Sequence, residues 1–88
     1  MRACADFILR SIAGESILMP VGDRIGTFRG TVLMNELSAF VWEQLQTPVS
    51  RGELLTRILD RYETDEKTAA ADLDVLLAEL KQMGIVEE

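Results

Sequence analysis

The residues able to do chemistry in this chain are few, and their spacing is informative mainly for what it lacks. Histidine, the usual general base at neutral pH and the commonest metal ligand, is absent. No Gly-rich phosphate loop, G-x-S-x-G elbow or C-x-x-C pair occurs. The single Cys4 has no partner for an internal disulfide and, without histidine, builds no zinc site; it reads as a small residue near a strand start. Carboxylates do come in pairs, Asp65/Glu66, Asp72/Asp74 and Glu87/Glu88. Paired carboxylates could serve as acid and base or hold Mg²⁺, but on a short acidic helical segment they read as a solvated face. The expectation is therefore no catalytic residue, no metal and no cofactor.

Arg51, Arg57 and Arg61 fall on one predicted helix and raise the question of nucleic acid. Glu53 and Asp60 offset most of that charge, and phosphate contacts supply most nucleic-acid affinity. No nucleic-acid partner is expected.

The elements that must position any site divide at Asn35. Residues 1–34 carry 4 basic and 3 acidic side chains and short apolar runs of β type; residues 35–88 carry 5 basic and 12 acidic side chains with helical periodicity. Phe7–Ile12 and Ser16–Val21 flank Ala13-Gly14-Glu15, where Gly14 can take positive φ, and predict a hairpin. Pro20, lacking a donor, marks an edge, an end or a bulge of the second strand. A polar stretch, Gly22 to Gly30, leads to a third run, Thr31-Val32-Leu33-Met34.

Asn35 is a good N-cap for a first helix with Leu37, Phe40, Val41, Gln44 and Leu45 on one face, ending before Pro48. Ser50-Arg51-Gly52-Glu53 fits a capping box, with Val49 and Leu54 as a hydrophobic staple and a stripe of Leu54, Leu55, Ile58, Leu59 and Tyr62 behind it. A third helix starts near Thr64-Asp65-Glu66, aligns Ala69, Leu73, Leu76, Leu77, Leu80 and Met83, and stops at Gly84. Gly84-Ile85-Val86 is an apolar tail expected to pack back.

The result is one α+β domain over residues 1–88: a three-stranded N-terminal antiparallel sheet followed by three helices, like a winged helix-turn-helix. At 88 residues with 48% hydrophobic side chains it should fold, burying only about 60–65% of its unfolded surface, which favours a surface groove over an enclosed cavity. The longest uncharged stretch is seven residues against about 20 for a membrane span, so no membrane partner is expected. Asp6 interrupts the start of the chain before an apolar segment develops, which argues against a signal peptide and for the cytoplasm.

Recognition remains, and the third run is its best candidate. Thr31 to Met34 carries no charge, so at a sheet edge it would offer main-chain N–H and C=O groups to an incoming peptide strand. Helix three could form the opposite wall, with Asp72, Val75 and Glu79 flanking its buried stripe. From the pattern alone, an edge covered by the chain itself is an equal reading.

Gly30-Thr31-Val32-Leu33-Met34-Asn35-Glu36 followed by Ala39-Phe40-Val41-Trp42-Glu43, then Glu53-Leu54 with Tyr62, then Asp72-Leu73 with Leu76-Leu77, Leu80 and Gly84-Ile85, resembles the PqqD-like family across nearly the whole chain. Two departures are Met34, where the family usually has Leu, and Ser38, where it commonly has Gly; the second could alter how closely another backbone approaches. The resemblance implies a non-catalytic peptide chaperone that binds the leader segment of a ribosomally made precursor and presents it to a modifying enzyme, often a radical S-adenosylmethionine enzyme. The leader would add as a strand, with contacts from Thr31, Val32, Leu33 and Met34 and a helix wall of Asp72, Val75, Leu76 and Glu79. A winged-helix DNA-binding regulator and a structural homodimer paired through the same edge are the alternatives.

Overall fold

A computed structural model of the chain describes residues 1–26 and 30–87, and of residues 23 and 24 the backbone alone. The order is β1 (Arg2–Ala3), β2 (Phe7–Ile12), β3 (Glu15–Pro20), a 3₁₀ turn (Gly22–Gly26), β4 (Val32–Met34), α1 (Glu36–Gln44), α2 (Arg51–Arg61), α3 (Glu66–Gln82) and β5 (Val86–Glu87). Part of the expected Gly22–Gly30 connection, residues 27–29, lies outside the described residues, as does Glu88 of the Glu87/Glu88 pair.

The hairpin turns on two residues. Ala13 and Gly14 both have positive φ, 52° and 82°, as a type I′ turn requires for its twist to match the strands. β3 begins one residue before the apolar run and ends at Pro20, opposite Phe7 and beyond the last pair with β4. Proline therefore sits where no ladder hydrogen bond to β4 is lost. Strand order is β2-β3-β4, all antiparallel, with Ile17 opposite Leu33 and Leu18 opposite Val32. Period-two alternation buries Phe7, Leu18 and Met34 while Leu33 and Ile12 stay exposed.

Each helix starts on a side chain that accepts an orphan N–H: Asn35 Oδ1 from Ser38 at 2.8 Å, Ser50 Oγ from Glu53 at 3.1 Å and Asp65 Oδ1 from Thr68 at 2.7 Å. The Glu53 carboxylate, expected to reach back to Ser50, lies 3.6 Å from Arg57 one turn on. α3 closes in a Schellman motif. Gly84, at φ 75°, donates to Lys81 O and Ile85 donates to Leu80 O, both at 3.0 Å.

Among the described residues five strands form where three were expected. β1 and β5 pair antiparallel, Arg2 with Glu87 and Ala3 with Val86, so the apolar tail packs back as a strand. Two-residue strands are too short to show a period. Cys4 supports this ribbon, its N–H donating to Ile85 O at 2.8 Å and its Sγ–H to Gly84 O at 3.3 Å. Leu18, Val41, Leu45, Leu54, Leu73, Leu80 and Ile85 are fully buried between sheet, ribbon and helices, and Trp42 is buried with them. Each such Leu or Ile contributes about 1.5–3 kcal/mol over an exposed position, so this cluster holds the sheet edge and α3 in fixed relation.

Candidate functional site

β4 is the end strand of its sheet, paired with β3 on one side and with no strand on the other among the described residues. Its alternation turns Val32 and Met34 inward and Leu33 outward, where Leu33 is 67% exposed. Asn35 follows at once as the α1 N-cap, so the strand end and the first turn of α1 share a corner.

Two open cavities meet at that corner. The larger, about 950 Å³, is lined by the hairpin turn (Gly14, Glu15, Ser16), by Leu33, Met34 and Asn35 at the strand end, by the α1 face that includes Glu36, Phe40 and Glu43, by Arg61 and Tyr62 at the end of α2, and by Glu79 of α3. The smaller, about 390 Å³, lies between Asn35, Leu37 and Ser38 and the α3 residues Asp72, Val75, Leu76 and Glu79. Asn35, Ser38 and Glu79 line both.

The residues anticipated from sequence thus fall into two adjoining parts. Leu33 and Met34 line the larger cavity and Asp72, Val75 and Leu76 the smaller, with Glu79 shared. Thr31 and Val32 line neither: Thr31 precedes the strand, and Val32 is turned toward the core. Val75, 60% exposed, stands between the carboxylates of its α3 flank, while Leu76 is largely taken up by the core.

Sequence reasoning did not assign the hairpin turn or the α1 face to the site, and placed Phe40 on the apolar face of the first helix. Phe40 is only half-buried: its ring meets Tyr62 edge to face, centroids 5.8 Å apart and planes at 88°. The guanidinium of Arg61 lies 5.4 Å from the Phe40 centroid and 5.9 Å from that of Tyr62. A signal did exist for Ser38, since it is one of the two departures from the family pattern.

Charge around the larger cavity is one-sided, with Glu15, Glu36, Glu43 and Glu79 against Arg61. The other arginines of α2 are engaged elsewhere. Arg51 binds Asp74 through two hydrogen bonds, which hold the Asp74 carboxyl below the usual aspartate range. Arg57 donates to Gln44 Oε1 at 3.0 Å and pairs with Glu53. Such neutralisation disfavours a phosphate-binding face on α2. The carboxylate pairs also separate: Asp72 faces the smaller cavity while Asp74 is held by Arg51, and Asp65 caps α3. Among the described residues, no group of three His, Cys, Asp or Glu side chains is placed to hold a metal ion. Among the described residues no helix is long and apolar enough to cross a membrane.

Residues 15–86 match the family model for Coenzyme PQQ synthesis protein D (PqqD). Two solved structures have a similar fold. One is TbiB1 in complex with the TbiA(beta) leader peptide, with TM-score 0.77 and 21% identity over 99% of this chain and 95% of that one. The other is lasso peptide synthetase B1 complexed with the leader peptide, with TM-score 0.76 and 17% identity over 99% and 96%. No curated protein matches the sequence.

Proposed function

The chain belongs to the PqqD family, and from that premise we propose that it is a non-catalytic adaptor for a precursor peptide. It binds the leader segment by strand addition at β4 and presents the precursor to a modifying enzyme, of the radical S-adenosylmethionine class by the family resemblance. It works in the cytoplasm as a single domain. The observation that carries this reading is the uncharged edge strand Val32–Met34, which ends in the corner where both cavities meet. That both similar folds are complexes with leader peptides supports it.

The geometry suggests how the energy divides. Three residues of edge offer about three main-chain hydrogen bonds, roughly 1.5–4.5 kcal/mol in all, against about 2–5 kcal/mol for ordering a flexible leader. Strand pairing alone therefore fixes register without giving affinity. The surplus comes from apolar leader side chains against exposed Leu33 and Val75, and from basic ones beside Glu36, Asp72 and Glu79. Binding the leader then raises the concentration of the attached core peptide at the enzyme.

An amide-shift titration with the leader segment of a short peptide encoded beside the gene tests this. Shifts should concentrate on Thr31–Met34 and on the Asp72–Glu79 flank of α3. Shifts on α2 with duplex DNA and none with peptide would favour a regulator, and a stable dimer with β4 protected would favour the structural subunit.

A further inference from the structure

Among the described residues Arg61 is the one arginine that lines the larger cavity, and it is held unlike the other arginines of α2. Arg2, Arg51 and Arg57 each pair with a carboxylate, Glu87, Asp74 and Glu53 respectively. Arg61 makes no ion pair among the described residues, although Glu43 lines the same cavity and Asp60 and Glu63 are close in sequence. Its charge rests instead against the rings of Phe40 and Tyr62, which meet each other edge to face. Aromatic faces attract a guanidinium but accept none of its five N–H donors in the planar fork. The C-terminal end of α2 favours a cation at this position, yet that accounts for neither the rings nor the place in the cavity.

We propose that this end of the cavity is a carboxylate subsite, in which Arg61, braced by Phe40 and Tyr62, takes an Asp or Glu side chain of the bound peptide. The proposal rests on the peptide-binding reading above and adds a position that the peptide must fill.

The test uses the full chain and a library of random 12-residue peptides displayed on phage through their C-termini, so that only side chains supply carboxylates. Enriched peptides are resynthesised with amidated and with free C-termini. The expected result is an acidic residue at one fixed position, whose replacement by Asn or Gln weakens binding about three- to tenfold. Arg61→Gln should give the same loss, with no further loss when both changes are combined. Arg61→Glu should restore binding to the peptide carrying Lys at that position, and Glu43→Gln should strengthen binding of the acidic one. If peptides are enriched and lose affinity to Val32→Pro, yet Arg61→Gln and loss of the acidic residue change nothing, the subsite is wrong while strand addition stands. Binding that needs a free C-terminus overturns the side-chain assignment. If no peptide is enriched over the bare support, the peptide-binding reading itself falls.

Discussion

Two short β segments, the β1–β5 ribbon and the edge strand β4, have opposite fates. In the ribbon, main-chain groups are consumed by the chain's own ends and turns. Met1 donates to Val49 O and accepts from Val49 N–H, Ala3 donates to Leu45 O, Cys4 donates to Ile85 O, and Arg2 pairs with Glu87 across the strands. Among the described residues β4 pairs with β3 alone, and Leu33 and Met34 line the larger cavity. One segment stitches the two termini to the ends of α1 and α3; the other is an edge with no second strand among the described residues. Exposure follows the same division: Val86 is buried and Leu33 is 67% exposed.

Substitutions can sharpen or break this contrast. The largest effect is expected next to the ribbon, where Ile85→Ala should cost about 2–5 kcal/mol in chemical denaturation, with peptide affinity unchanged below the transition. Gly84→Ala, at a position with φ 75°, should cost about 1–2 kcal/mol by the same measurement. At the edge the balance should reverse. Val32→Pro removes one donor and should weaken peptide binding about tenfold, roughly 1.4 kcal/mol, with a smaller change in melting; unfolding as the main effect would mean that this N–H serves β3. Leu33→Ser should leave stability within about 0.5 kcal/mol and weaken binding severalfold in calorimetry.

The smallest effect is a pH dependence confined to the helical half. The Thr68 hydroxyl and N–H hold the Asp65 carboxyl below the ordinary aspartate range. Its folded pKa is lower than its unfolded one, so its contribution is complete above that range and is lost as pH falls through the folded value. Asp65→Asn keeps a capping side chain and should flatten that part of the acid limb of a melting profile, without touching peptide binding.

The helix starts at Asn35, Ser50 and Asp65, the stop at Gly84 and the turn at Gly14 could all be read in advance, because each is a hydrogen bond or backbone angle set within about four residues. Leu33–Met34 and one flank of α3 were named as candidates from an uncharged run and from family spacing, and both line the cavities. Phe40, Arg61 and Tyr62 were not legible as a group. Phe40 carried a helix-face signal, Tyr62 a stripe signal and Arg61 a charge signal, and none of these says that α1 and the end of α2 meet at 5.4–5.9 Å.

By itself the sequence determined the hairpin, the third strand, the three helices with their caps, and the family. Only the tertiary structure decided which edge would close and which would stay open. Val32–Met34 and Val86–Glu87 are both short β segments, and their difference lies in partners brought from far along the chain. Glu87 finds Arg2 across 85 positions, while the outer side of β4 meets a cavity. Local hydrogen bonds are specified by neighbouring residues, whereas the openness of an edge depends on where every other element has packed.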